Sequence, residues 1–318
     1  MWLIDFIREN TLWVLEFVIM FSFLIIIHEF GHFYAARKSG VKVFEFAVGF
    51  GKRLYSKKVG ETEYCLNLIP FGGYVRMLGE EEESSAKGSF GQAKLWQRMM
   101  ITLGGVSMNF LSAIIILTVL FTIGTDPILI TEKDIETAYE DGYFGYKDEV
   151  GTYYTINEIS WKDVQKKENL RGGYLKKMKL PAHKAFVFSI TESWRMSGAI
   201  LQKVSEIPGN IIDKHRLPEG MAGPLGIAEI TKKISKQGFV YLVKMAALLS
   251  VSLGVMNLLP IPALDGGRFF FQLVELALKP FKIKPSEKIE NYAHLGGMFI
   301  LFGFLIAVTI EDVVRIFF

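Results

Sequence analysis

Residues His28-Glu29-Phe30-Gly31-His32 carry side chains whose types and spacing could do chemistry. On a helix, positions four apart share a face, so both imidazoles can reach one metal ion while Glu29 stands beside them as a candidate general base. These are the parts of zinc-assisted hydrolysis, in which a carboxylate takes a proton from a water activated by the metal. The motif closes an apolar run, residues 12–27, long enough to enter a bilayer. Hydrolysis at this place would therefore occur inside a membrane.

A catalytic zinc commonly has three protein ligands and an open position for water, which leaves two histidines one ligand short. The remaining candidates are His183, His215, His294, Cys65 and the carboxylates. His183 and His215 fall in a long loop on the opposite membrane face. Asp265 fits better. It lies in Asn257-Leu258-Leu259-Pro260-Ile261-Pro262-Ala263-Leu264-Asp265-Gly266-Gly267, where prolines and glycines interrupt an apolar segment at the face that carries the motif. An ionisable residue in a broken membrane helix is a functional candidate by default. Two alternatives stay open: Asp265 as a plain N-cap of a helix starting at Arg268, and His294, which precedes the last apolar segment at the same face, as the third ligand. Cys65 is the single cysteine, cannot form an internal disulfide, and reads as a small core or strand residue. Asn109, in Gly104-Gly105-Val106-Ser107-Met108-Asn109, reads as packing glue between helices, with the orientation of a partner as the alternative.

The elements that must position these groups are apolar spans. The 318 residues are 50% hydrophobic and 22% charged, with a mean hydropathy of +0.28, which indicates a polytopic membrane protein with sizeable aqueous loops. Segments 99–123, 239–259 and 295–310 join 12–27 as crossings, four in all. The first lacks a small-residue cleavage site and is kept as a span, not a removed signal. Arg37, Lys38, Lys42, Lys94 and Arg98 flank one loop, and Lys279, Lys282, Lys284 and Lys288 lie in another. The positive-inside rule puts both loops in the cytosol and both termini outside, which makes 125–238 an extracytoplasmic loop. A net charge of +3 and a pI near 8.7, spread along loop edges, suit contact with the lipid bilayer and give no footprint for nucleic acid.

Three regions follow: 1–124, a first membrane half with a β region at 40–80; 125–238, the outer loop; and 239–318, the second membrane half. Alternation at 43–48 and 63–68 predicts strands, with Gly49-Phe50-Gly51 and Phe71-Gly72-Gly73-Tyr74 as bends of a small sheet dipping toward the membrane from the cytosolic side. Such backbone is tolerated at membrane depth only against protein or a water-filled cavity. In the outer loop, 139–167 shows turns and short β-prone pieces. An amphipathic helix is predicted over 192–211, and Gly223-Pro224-Leu225-Gly226-Ile227 breaks the pattern before the third span. The expected fold class is an α-helical polytopic membrane protein of about four transmembrane helices, with a membrane-reentrant β-hairpin and an extracytoplasmic α+β loop domain.

At this point the residues resemble a known family, the site-2 proteases, in the bacterial branch typified by the regulator-of-sigma-E protease. The matching pieces are His28 to Phe33, Val48-Gly49-Phe50-Gly51, Leu68-Ile69-Pro70-Phe71-Gly72-Gly73-Tyr74-Val75, Gly223 to Ile227, and Asn257 to Pro260 continuing through Leu264 to Arg268. They run in the family's order over nearly the whole chain. The resemblance implies an intramembrane zinc metalloprotease of the bacterial cytoplasmic membrane, with His28, His32 and Asp265 as Zn2+ ligands and Glu29 as catalytic base. It further implies that Asn257, Pro260 and the Gly72-Gly73 hairpin help hold substrate. The implied substrate is a single-span membrane protein, an anti-sigma factor or a signal-peptide remnant. Relatives usually carry complete PDZ domains in the outer loop. Here 146–166 resembles only a fragment, so a reduced PDZ-like module is expected. A membrane metal transporter or sensor using the same His and Asp residues is the alternative function, although the spans offer no continuous polar path for an ion.

Overall fold

The computed structural model describes residues 2–80, 86–126, 128, 144–147, 153–154, 171–175, 177–214, 222–281 and 287–317. Two compact units are present, Met1–Ala113 with Lys203–Phe318, and Ile114–Gln202. The helices of the first unit are α1 (Trp2–Lys38), α2 (Leu95–Thr102), the start of α3 (Gly104–Ile123), α6 (Pro224–Ser235), α7 (Phe239–Leu258), α8 (Asp265–Leu278) and α9 (Glu287–Phe317), and α5 (Ile207–Lys214) lies among them. Four described stretches are long and apolar enough to cross a membrane: Thr11–Lys38, Gly104–Ile123, Phe239–Leu258 and Lys288–Ile316.

The first of these does not stop at Ile27. Helix α1 runs on through the histidines to Lys38, and ends where Gly40 takes φ 76° and the Val41 N–H returns to the Ala36 carbonyl (2.9 Å), a glycine stop. The motif therefore lies inside a helix. The second apolar segment is not one helix but two, broken at Leu103. Glycines 104 and 105 are poor helix formers, and a Cβ on Gly31 would overlap the Gly104 carbonyl. Helices α1 and α3 thus touch backbone to backbone, which needs glycine on both sides.

Strands β1 (Val43–Val59) and β2 (Thr62–Met77) pair antiparallel and are far longer than the two short strands of the sequence reading. Both ribbons bend back, so Ala47 of β1 lies opposite both Cys65 and Tyr74 of β2. The bends fall at glycines, with φ 80° at Gly49, 84° at Gly51 and 106° at Gly72, values that side chains with a Cβ resist. Phe33 and Ala36 of α1, Val43, Met77 and Ile101 form a core that seats the sheet on α1 and α2. Glu45 is buried, yet it accepts from Tyr74 Oη (2.9 Å) and Arg76 (3.0 Å) and pairs with Arg53. Burial works against its charge, but bonds from Cys65 and Tyr74 and the two guanidinium groups hold the carboxyl below its ordinary value. Cys65, pushed up to about 11 by burial and by Glu45, stays a protonated thiol in the sheet.

Gly223-Pro224 starts a helix as well as ending a pattern, because proline suits the first helical position and Pro224 opens α6. The buried Asp312 of α9 accepts from the Gly226 N–H (2.8 Å), and a Cβ on Gly226 would lie 2.6 Å from Asp312 Oδ1. Asp312 also receives Arg315 (2.8 Å). Replacing Asp312 by alanine leaves the Gly226 N–H without its acceptor and should destabilise the protein by about 1–3 kcal/mol, read as a lowered midpoint of thermal unfolding.

The second unit holds a three-stranded antiparallel sheet of β3 (Phe144–Lys147), β4 (Tyr153–Tyr154) and β5 (Arg171–Leu175), in the order β4-β3-β5. Most of the PDZ-like stretch 146–166 lies outside the described residues. Helix α4 (Ala182–Ser205) starts ten residues before the predicted 192. Its first turns are rich in aromatic and β-branched residues, which favours strand locally, but Phe188 packs edge-to-face on Phe121 (4.9 Å) and packing overrides propensity.

Candidate active site

The site is built from α1 and the turn before α8. His28 Nε2 and His32 Nε2 lie 3.2 Å apart, and Asp265 Oδ2 is 3.1 Å from the first and 3.3 Å from the second. Three ligands about 2.0–2.1 Å from a tetrahedral metal are separated by roughly 3.3–3.4 Å, so this triangle has the size of one face of a zinc coordination sphere. Its atoms form a group able to hold a metal ion. Asp265 Oδ2 is also buried without a hydrogen-bond partner among the described residues, an arrangement costly for a bare carboxylate and relieved by a cation.

Each imidazole is oriented from behind. His32 Nδ1–H donates to the Ile101 carbonyl (2.8 Å), which lies in the last turn of α2, where helix carbonyls take partners from outside the helix. That bond leaves the Nε2 lone pair facing the triangle. His28 Nδ1 meets the side-chain amide of Asn109 at 3.0 Å. Nδ2 is the atom that faces the ring; a flip of the amide would set Oδ1 against an Nδ1–H, the orientation that a metal-bound imidazole requires, and His28 would then present its Nε2 lone pair in the same way. The backbone carbonyl of Asn109 is itself gripped by the hydroxyls of Ser112 (2.9 Å) and Ser250 (2.8 Å). Asn109 is thus more than interhelical glue: it touches a candidate ligand, the alternative that the sequence left second. Substituting leucine for Asn109 should weaken zinc binding about 10–100-fold, measured by competition with a chromophoric chelator.

Asp265 sits at the first position of α8, whose N-cap is Leu264, and its side chain caps nothing. Gly266 and Gly267 lie so close to the carbonyls of Leu259 and Ile261 that a Cβ on either would overlap them. Helix α8 is bound to α2 by Arg98, which donates to both oxygens of Glu275 (2.6 and 2.7 Å), and by Gln272 Nε2 to Thr102 Oγ1 (2.9 Å). One short helix therefore fixes both sides of the triangle, His32 through Ile101 and Asp265 through α8. His294 does not belong to the ligand group; its Nδ1 accepts from the Ala263 N–H (2.8 Å).

Glu29, half-buried, lines a cavity of about 790 Å³ together with His28, His32, Tyr74, Asp265 and His294. The β2 backbone runs beside it: a Cβ on Gly73 would lie 3.2 Å from Glu29 Cγ and 2.9 Å from the Ala47 carbonyl. Gly72 abuts the Phe50 ring. Asn257, near the end of α7, and the exposed Pro260 are not among the residues lining the cavity.

Two imidazoles on a helix of membrane-crossing length, a carboxylate at coordination spacing from them, a second carboxylate beside them and an adjoining cavity are the features of a membrane metallopeptidase. The profile of Peptidase family M50 matches residues 16–304. A candidate zinc metalloprotease of Clostridium perfringens is 31% identical over 335 residues, covering 95% of this chain and 99% of that protein. One from Fusobacterium nucleatum is 30% identical over 343 residues, covering 94% and 98%. The regulator of sigma-W protease RasP of Bacillus subtilis is 26% identical over 424 residues, covering 96% and 99%. The chain belongs to Peptidase family M50, the site-2 proteases, and is a zinc metalloendopeptidase with several membrane spans. The transporter or sensor reading loses its basis here.

Proposed function

We propose that this protein hydrolyses a peptide bond within or near the membrane segment of single-span proteins, with His28, His32 and Asp265 holding zinc and Glu29 as general base. The triangle of 3.1–3.3 Å edges, with its two imidazoles on a helix of membrane-crossing length, carries this reading. When bound, zinc supplies the Lewis acid that polarises the scissile carbonyl and acidifies a water. Glu29 takes the water proton and passes it to the leaving amine. Ile101 and Asn109, at the Nδ1 positions of His32 and His28, hold each ring so that Nε2 faces the metal position.

A helical substrate hides its carbonyls, so it must unwind, and in lipid the freed backbone groups need partners. The β2 ribbon is the proposed partner, as a strand that accepts another strand at its edge. Its reentrant placement draws support from Ser22 Oγ, which donates to the Pro70 carbonyl (2.6 Å). Ser22 is six residues before His28, about 9 Å deeper along the span. Gly72 and Gly73 would let the substrate backbone approach; Asn257 and Pro260 are assigned to substrate on the family resemblance. The name of the Bacillus subtilis relative links that protein to sigma-W, which supports an anti-sigma factor as substrate class here, with signal-peptide remnants as the other. The basic flanks favour a bacterial cytoplasmic membrane with both termini and the 125–238 loop outside, and membrane halves at 1–124 and 239–318.

The test uses purified protein in liposomes and two single-span peptides that differ by a Gly-Pro pair in the span. The pair should speed cleavage about tenfold or more, with products whose masses place the cut inside or beside the span. Equal rates would reject the unwinding step, and cuts confined to the aqueous tails would reject intramembrane hydrolysis.

A further inference from the structure

The turn that delivers Asp265 is held in an unfavourable conformation by the last span. Ile261-Pro262-Ala263-Leu264 closes with the Leu264 N–H on the Ile261 carbonyl (3.1 Å), and Ala263 has φ 79°. Proline second and a left-handed third residue define a type II turn, whose third position normally takes glycine. Alanine there favours type I, which differs by a rotation of the Pro262–Ala263 peptide through roughly 150–170°. Ala263 is the sole residue other than glycine at positive φ among the described residues.

Helix α9 grips both ends of that peptide. His294 Nδ1 accepts the Ala263 N–H (2.8 Å), and a Cβ on Gly297 would overlap the Pro262 carbonyl. His294 and Gly297 are three apart and share a helix face. The His294 ring is set against Phe271 of α8 (centroids 5.7 Å apart), so the acceptor nitrogen is braced on the helix that Asp265 begins. In a type I turn the Ala263 N–H would point away from His294, and both groups would lose their partner.

We propose that His294 is a positioning residue for the metal centre: by accepting the Ala263 N–H it holds the 261–264 turn in its type II form, and through that turn fixes the Asp265 carboxylate against His28 and His32. This rests on Asp265 being a zinc ligand. His294 acts without touching the metal, as a group that selects one orientation of a single peptide plane two residues from a ligand. Zinc–ligand distances tolerate only about ±0.2 Å, so a small displacement of the turn is felt as affinity.

The test measures zinc affinity by chelator competition, and the visible spectrum of the Co2+-loaded full-length protein. His294→Phe should bind zinc about tenfold more weakly and alter the Co2+ bands. Adding Ala263→Gly, which makes positive φ free of steric cost, should restore affinity to within about threefold and return the wild-type bands. A His294→Phe protein that binds zinc like wild type, or a loss that Ala263→Gly does not relieve, overturns the proposal. Should His294→Phe not fold, His294→Asn and His294→Gln decide it. Asparagine can place an oxygen where Nδ1 was and should stay near wild type, while glutamine should lose affinity; the reverse order overturns the proposal. Wild-type protein that binds no zinc, or an Asp265→Ala protein that binds it as tightly as wild type, would instead remove the metal-site reading beneath it.

Discussion

Glu29→Gln protein, purified with its zinc, should cleave a single-span substrate at least about a hundredfold more slowly than wild type, the range in which removal of a general base falls. Glutamine keeps the size and shape of the side chain that lies against the β2 backbone near Gly73, so the cavity and the helix are expected to survive. What is lost is the ability to take a proton from water. Zinc content, by atomic emission, should remain near one ion per chain, because Glu29 is not part of the His28–His32–Asp265 triangle. Substrate should still bind, and the variant therefore becomes a trap from which the natural substrate can be identified by mass spectrometry. Normal turnover in the zinc-loaded variant would remove Glu29 from the chemistry.

Asp265→Ala should lose zinc. Displacing a group one shell further out costs about 10–100-fold in metal affinity, and deletion of one of three ligands should exceed that range. The loss also has a thermal signature. A ligand present at about a hundred times its dissociation constant stabilises the folded state by ~2.7 kcal/mol, so adding zinc to stripped wild-type protein should raise its unfolding midpoint. Asp265→Ala should show almost no such rise. Asp265→Asn keeps the shape, loses the charge and should fall between the two. A zinc-dependent rise in Asp265→Ala as large as that of wild type would mean that the carboxylate is not a ligand, whatever its distance from the imidazoles.

Some of this architecture is written locally in the chain. The two histidines meet because a helix brings every fourth residue to one face, and this holds wherever the helix lies. Spans can be counted because the apolar stretches have the length of the hydrocarbon layer. Gly49, Gly51 and Gly72 mark bends because positive φ suits few other residues. The extent of α1 beyond Ile27 was harder to see, since its last turns carry the polar residues of an aqueous edge.

The tertiary structure decided the rest. The break at Leu103 stands beside the contact of Gly31 with Gly104, more than seventy residues apart, and it puts the Ile101 carbonyl at a helix end where His32 can reach it. Asn109 orients His28 only because Ser112 and Ser250 pin its backbone from two helices, and His294 serves the turn before Asp265 instead of joining the metal group. Residue type and spacing determined which groups could bind zinc and take a proton. Which carbonyl, amide or imidazole stands behind each of them depends on contacts between distant segments, and a helical or alternating period carries no record of those, because periodicity reports only which face a side chain occupies and not what lies across from it.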